Sequence, residues 1–200
     1  MLPFLLASIA LTLSPGPDII YVLTQSISNG KKYGIATAAG LVSGILVHTT
    51  LIALGVSAII QQSEILFTGI KITGASYLLW IAYQVFKAPD TIELSTHQNT
   101  KKSLFSLVKQ GFIMNVLNPK VTLFFLAFFP GFIDEQAGKV TQQIYELGLV
   151  FMMQAFVIFT LVSIVADQLT VLIRNNKTFA VFLKWFQIIA FIGIAVMILS

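Results

Sequence analysis

Two charged side chains lie deep within otherwise apolar segments of this sequence. Asp18 interrupts an apolar run at residues 2–27, and Lys120 interrupts a second run at residues 104–132. A charge at the centre of a bilayer costs at least about 2.5 kcal/mol on insertion scales, so each charge needs a partner or water. The other carboxylates lie at or near the ends of apolar segments. We therefore expect Asp18 and Lys120 to pair, directly or through water.

Each charge follows a sequence that breaks helices. Residues 13–18 read LSPGPD, and residues 115–120 read NVLNPK. Proline lacks a backbone N–H and disfavours helical geometry in the residue before it. We predict helix breaks at Pro15, Pro17 and Pro119. A proline kink that only helps helices to pack is the alternative, but two matching breaks, each beside a charge, favour a binding site.

The residues next to these prolines indicate which polar groups each break exposes. Ser14 and Asn118 are favourable N-cap residues, so we expect each to begin a half-helix whose positive dipole end faces the protein interior. Extended backbone at Gly16 would expose polar groups there. Gln154, central in a later apolar segment, adds a neutral hydrogen-bonding group. The predicted substrate-binding residues are Ser14, Gly16, Asp18, Asn115, Asn118, Lys120 and Gln154.

The composition is that of a membrane protein. Of 200 residues, 56% are hydrophobic and 10% are charged, against roughly 25% charged residues in soluble domains. A bilayer core takes about 20 apolar residues as helix. We predict an all-α, polytopic protein with six transmembrane helices, at residues 2–27, 34–60, 65–86, 104–132, 144–166 and 179–199. The first stretch lacks the basic region of a signal peptide, so we expect it to be retained.

The polar segment 89–103 divides the chain into residues 1–88 and 104–200, with three predicted spans each. Three is an odd number, so the second half enters the membrane from the opposite side. This predicts two inverted three-helix repeats with broken first and fourth helices. Seven of the basic residues lie in the first, third and fifth connections between the predicted spans. The positive-inside rule places these connections, and with them the 89–103 loop, in the cytoplasm. Both termini are therefore predicted to be periplasmic.

Several classes of function are disfavoured by composition. Cysteine is absent, which excludes disulfides, thiolate metal sites and thiol redox chemistry. We find no metal-ligand cluster and no nucleophile paired with a base, and so predict no metal, no cofactor and no enzymatic activity. The net charge of +4 is explained by cytoplasmic loops, and we predict no nucleic-acid partner.

A stripe of small residues precedes His48 in the second predicted span. Ala36, Gly40 and Gly44 recur at intervals of four before it, which permits close approach of another helix. His48 is therefore expected to face the helix bundle. Two roles stay open for it: a structural histidine bonded to a neighbouring hydroxyl, or a proton carrier.

The segments SPGPDIIYVLTQSISNGKKYGIATAAGLVSGILVH and QGFIMNVLNPKVTLFFLAFFPGFI resemble the lysine-exporter (LysE/RhtB) superfamily, specifically its homoserine/threonine-exporter branch. The similarity covers nearly the whole chain. It implies a multi-pass protein of the bacterial inner membrane that exports amino acids or related small metabolites, driven by the proton-motive force. Several family members carry an acidic residue where this chain has Ile45, so the charge preference for substrate stays open.

The leading hypothesis is a secondary exporter of zwitterionic amino acids, with the lipid bilayer, the substrate and protons as partners. The substrate ammonium would bind Asp18 and its carboxylate Lys120, and a proton on Asp18 would release it. His48 is the alternative proton-coupling residue. The competing hypotheses are a membrane-embedded enzyme and an accessory membrane subunit without transport of its own. Which metabolite is exported, and whether the protein is a homo-oligomer, stay open.

Overall fold

A computed structural model describes residues 2–14, 16–60, 64–87, 102–134, 136–166, 168 and 177–199. All regular secondary structure in this part of the chain is helical and no strand occurs in it, which confirms the all-α class. Pro15 and nearly all of the predicted 89–103 loop lie outside the described residues. The helices are α1 (Leu2–Leu13), α2 (Pro17–Asn29), α3 (Lys31–Ile60), α4 (Glu64–Lys87), α5 (Leu104–Val116), α6 (Pro119–Phe128), a 3-10 turn (Phe129–Phe132), α7 (Val140–Ile164) and α8 (Lys177–Leu199).

Two of these helices are long and apolar enough to cross a membrane, as judged from the described residues. They are α3, over Lys31–Gly55, and α7, over Val140–Ile164. A third span is formed if α1 and α2, which bend by 57° at their junction, are counted as one broken helix. The structure is therefore that of a helical membrane protein, and the six-span arrangement stays a prediction.

Helices from the two parts of the chain interleave. In the described structure α3 packs most extensively on α5 and α7, and α4 packs on α8 and α6. The first helix, α1, also contacts α7 and α8. Residues 1–88 and 104–200 therefore share one core, and the two broken regions are brought together by these contacts.

The closest approach of α3 to α5 depends on glycine. A Cβ added at Gly40 would overlap the backbone carbonyl of Val108, and one added at Gly44 would lie 2.7 Å from Asn115 Oδ1. This agrees with the prediction that the small-residue stripe permits close packing. His48, on the same stripe, is only 3% exposed, which confirms that it faces the bundle.

A cluster of phenylalanine rings anchors α6. Phe124 and Phe125 lie on α6 and contact the Phe151 ring of α7, with centroids 5.8 and 5.2 Å apart. Phe128 stacks on Phe4 of α1 at 5.7 Å. Such ring pairs add about 0.5–1.5 kcal/mol each beyond the apolar area that they bury. They fix α6 against α1 and α7, and thereby position the first turn of α6, where Lys120 lies.

We expect Gly40→Ala to destabilise the fold and Gly55→Ala in the same helix to be tolerated. The new methyl at position 40 meets backbone that cannot rotate away, whereas a Cβ at position 55 has nothing within 4 Å. Overpacking of this kind costs about 1–3 kcal/mol. Thermal unfolding of both variants in detergent measures the difference. Equal midpoints would show that the α3–α5 contact adapts to a larger residue.

Candidate functional site

Both predicted breaks interrupt the helices. Helix α1 ends at Leu13 and α2 begins at Pro17, after Gly16 in fully extended geometry (φ −167°, ψ 176°). Helix α5 ends at Val116 and α6 begins at Pro119. Helix ends leave backbone N–H and C=O groups without intrahelical partners. Each break therefore exposes polar backbone inside the bundle.

Asn118 joins the two breaks through its side chain. Its Oδ1 accepts a hydrogen bond from the Lys120 backbone N–H at 3.0 Å, which makes it the N-cap of α6 as predicted. Its Nδ2 donates to Asp18 Oδ2 at 2.8 Å. Both ends of this carboxamide are thus engaged, and the carboxylate of α2 is held against the start of α6.

Ser14 does not cap α2, and that prediction was wrong. The N-cap is Gly16, because the chain stays extended through that glycine and Pro17 takes the first helical position. The buried Ser14 hydroxyl instead donates to Gln187 Oε1 at 3.2 Å. Gln187 of α8 was not foreseen as a neighbour of the break. The only signal for it in the sequence is a single amide within an apolar helix.

Lys120 binds the C-terminal end of α1. Its Nζ donates to the carbonyl oxygens of Leu11 at 3.3 Å and Ser14 at 3.2 Å. These carbonyls carry the negative partial charge of the helix end, which favours a cation. The ammonium also lies 5.9 Å from the centroid of the Phe191 ring. The hydrogen-bonding partners of the Lys120 ammonium are therefore backbone carbonyls at the end of α1, which the pattern of residue types did not predict.

Asp18 and Lys120 line one small cavity without a direct ion pair between them in the described structure. Asn118 and the α1 carbonyls occupy the hydrogen-bonding positions instead. The cavity volume is about 20 Å³, which is room for about one water molecule. Binding of anything larger requires the surrounding helices or side chains to move.

The cavity combines polar groups with apolar walls. Asn115 adds a third polar side chain beside Asp18 and Lys120, and the walls include Ile45 and Phe151. Asp18 Oδ1 and Asn115 Oδ1 are buried and have no hydrogen-bond partner among the described residues. Buried polar atoms are nearly always hydrogen-bonded. Both oxygens can therefore accept a hydrogen bond from a donor group that enters the cavity.

Gln154 lies beside this cavity on α7. Its Nε2 donates to Thr12 Oγ1 at 3.0 Å, and Thr12 lines the cavity. Gln154 Oε1 is a further buried acceptor without a partner among the described residues. The structure therefore brings Gln154 to the edge of the site, where it connects α7 to α1.

His48 contacts the other side of Asn115. Its Nε2 lies 3.1 Å from the Asn115 backbone oxygen, in the last turn of α5. The partner is a carbonyl and not the hydroxyl that was expected. His48 does not line the cavity of Asp18 and Lys120 but a neighbouring one.

A helical membrane protein with a charged, partly unsatisfied site at two apposed helix breaks has the architecture of a membrane transporter. The model of the family described as LysE type translocator matches residues 9–200. The chain belongs to this family, which is one of translocators and not of enzymes.

Two of three similar proteins carry the names of efflux proteins. The homoserine/homoserine lactone efflux protein of Salmonella typhimurium is 33% identical over 174 residues, which are 87% of this chain and 84% of the relative. The leucine efflux protein of an Enterobacter species is 30% identical over 162 residues, 78% of this chain and 77% of the relative. A membrane protein of Bacillus subtilis is 30% identical over 192 residues, 92% of this chain and 91% of the relative. No solved structure matches this chain.

We expect Lys120→Met to lower stability by about 3 kcal/mol, because it leaves Asp18 and the α1 carbonyls without their cation in a low-dielectric site. Adding Asp18→Asn should restore part of that loss, since the remaining amide can still accept from Asn118 and no lone charge stays buried. Thermal unfolding in detergent measures both changes, with Lys109→Met, at an exposed position of α5, as the matched control. A single Lys120→Met variant as stable as wild type would show that Lys120 has no role in holding the breaks.

Proposed function

We propose that this protein is a secondary transporter that exports amino acids from the bacterial cytoplasm across the inner membrane. Family membership and the efflux activities named for its relatives support export. The observation that carries the proposal is the set of groups at the cavity. Asp18 and Asn115, each with a buried oxygen that has no partner among the described residues, line the same cavity as the Lys120 ammonium side chain. An amino acid carries the complementary pair, an ammonium and a carboxylate.

Substrate binding proceeds by exchange of hydrogen-bond partners. The substrate ammonium donates to Asp18 Oδ1 and Asn115 Oδ1, which have no partner among the described residues. Its carboxylate accepts from Lys120, which then releases the carbonyls of Leu11 and Ser14. Because those carbonyls end α1, their release frees that helix end to move. Binding and the conformational change needed to enlarge the cavity are thereby the same event.

The cavity walls favour an uncharged substrate side chain. Ile45, Phe151 and Phe159 are all buried and apolar. Asp18 and Lys120 already bind the α-ammonium and the α-carboxylate of the amino acid. A third charge on the substrate would then be buried without a partner, at a cost of a few kcal/mol. Leucine-like and homoserine-like compounds fit this site better than lysine or glutamate.

We propose the inverted six-span arrangement as the frame of this site. It is supported by a pattern in the packing: α1 contacts α7, and its counterpart α5 contacts α3. Helices α3 and α7 are themselves counterparts and pack on each other, as α4 and α8 do. A two-fold relation between the halves accounts for all of these pairings. In this arrangement both termini are periplasmic and the 89–103 loop is cytoplasmic.

Proton coupling is assigned to Asp18 in this proposal. Protonation of its carboxylate removes the charge that attracts the substrate ammonium, so a proton arriving from the periplasm releases the amino acid to that side. The carboxylate is held by Asn118 at 2.8 Å, which keeps it oriented during the exchange. The inward proton gradient then drives amino-acid export.

Reporter fusions test the topology. An alkaline-phosphatase fusion at Ser200 should be active, because the C-terminus is periplasmic, and a fluorescent-protein fusion after Thr96 should fluoresce, because that loop is cytoplasmic. The reverse fusions at each position serve as controls. A fluorescent C-terminal fusion would overturn both the topology and the inverted repeat.

Transport in proteoliposomes tests the function. With an imposed pH gradient, the wild-type protein should move leucine or homoserine and move lysine and glutamate at least tenfold more slowly. Asp18→Asn should abolish transport driven by the gradient, because an amide does not titrate, and should leave exchange of amino acid for amino acid only at raised substrate concentration, because the amide accepts from the ammonium without the attraction of a charge. Lys109→Met is the control for reconstitution. Full pH-driven transport by Asp18→Asn would remove Asp18 from the coupling mechanism, and a wild type that moves no amino acid would refute export altogether.

A further inference from the structure

We propose that His48 is a positioning residue, which holds the C-terminal end of α5 so that the side chain of Asn115 faces the substrate. The inference rests on the proposed function, because it concerns the same cavity. It assigns His48 a role that requires its hydrogen-bond donor and does not require its titration. The juxtaposition that carries it is His48 Nε2 against the backbone carbonyl of Asn115, a residue that lines the cavity of Asp18 and Lys120.

The contact lies at the end of a helix, where His48 adds a second donor to a backbone carbonyl. The Asn115 carbonyl belongs to the last turn of α5, where no further helical turn supplies N–H groups to the final carbonyls. It accepts from the Asn118 backbone N–H at 3.0 Å and from His48 at 3.1 Å. A carbonyl oxygen can only accept, so Nε2 carries hydrogen in both the neutral and the charged imidazole. The bond is therefore kept whatever the charge of the ring.

The cavity that His48 lines offers no ionisable partner for its ring among the described residues. The ring packs near Phe125, with centroids 5.7 Å apart, and lines a cavity of about 120 Å³. The other residues that line it carry no ionisable group; they are Leu51, Ile52, Thr122, Phe125 and Leu126. The nearest charged groups of the site, Asp18 and Lys120, lie on the other cavity.

Helix α3 holds Asn115 at two points. His48 binds its backbone oxygen, and Gly44, one turn earlier, leaves the space that its carboxamide occupies. A Cβ at position 44 would lie 2.7 Å from Asn115 Oδ1 and 2.8 Å from its Cβ. Both contacts fix the position of the Asn115 carboxamide, whose Oδ1 has no hydrogen-bond partner among the described residues. Displacing Asn115 from either point should therefore weaken substrate binding in the same way.

Kinetics of His48→Leu and His48→Gln in proteoliposomes test this role. Leucine removes the donor, and we expect the KM for leucine or homoserine to rise about tenfold with little change in maximal rate. Glutamine retains an N–H donor but cannot titrate, and should restore the KM to within about threefold of wild type with an unchanged pH profile. Gly44→Ala should raise the KM like His48→Leu. Thr50→Val, two residues from His48 on the same helix, is the control.

The outcomes separate the possibilities. A His48→Gln variant that exchanges amino acids but no longer responds to the pH gradient would make His48 a proton carrier and overturn the inference. A wild-type KM in His48→Leu would also overturn it. If the wild-type protein moves no amino acid, the proposed function fails, and thermal unfolding still tests the contact: His48→Leu should lower the midpoint and His48→Gln should recover it. Equal midpoints for the two variants would then refute the contact.

Discussion

The structure depends on one constraint: backbone groups freed by a helix break inside a membrane protein must find partners within the protein. At each break a side chain from the other part of the chain supplies one. Lys120 takes the carbonyls that end α1, and His48 takes a carbonyl that ends α5. Each break is thus completed only when the two parts of the chain are packed together. The site and the fold are therefore stabilised by the same contacts.

Packing away from the site sets its geometry. The glycine contacts let α3 approach α5 at backbone distance, which brings His48 to the end of α5. The phenylalanine cluster fixes α6 against α1 and α7, which brings Lys120 to the end of α1. The glycine contacts and the phenylalanine cluster thus each set the position of a helix end. A change in either region is expected to reach the polar groups through a shift of a helix end.

The sequence is most informative where a residue conflicts with its surroundings. A carboxylate and an ammonium in apolar segments, each beside proline, identify both breaks and their charged residues from residue type and position alone. The partners are less predictable. Lys120 pairs with backbone carbonyls, and because every residue has one, the residue type does not indicate this partner. Ser14 bonds to Gln187, which lies 173 positions away in the sequence. The N-cap lies at Gly16 and not at Ser14 because two prolines offer two starting points, and local propensity does not choose between them.

The small volume of the central cavity has a consequence for the cell. A space of about 20 Å³ between buried apolar walls admits no hydrated ion. Under the proposed transport function, an idle copy of the protein would therefore not let ions leak through this cavity. In the proposed mechanism, a solute opens the space by donating to the unpartnered acceptors and drawing Lys120 from α1. The same close packing would then keep the protein closed at rest and make its opening depend on substrate binding.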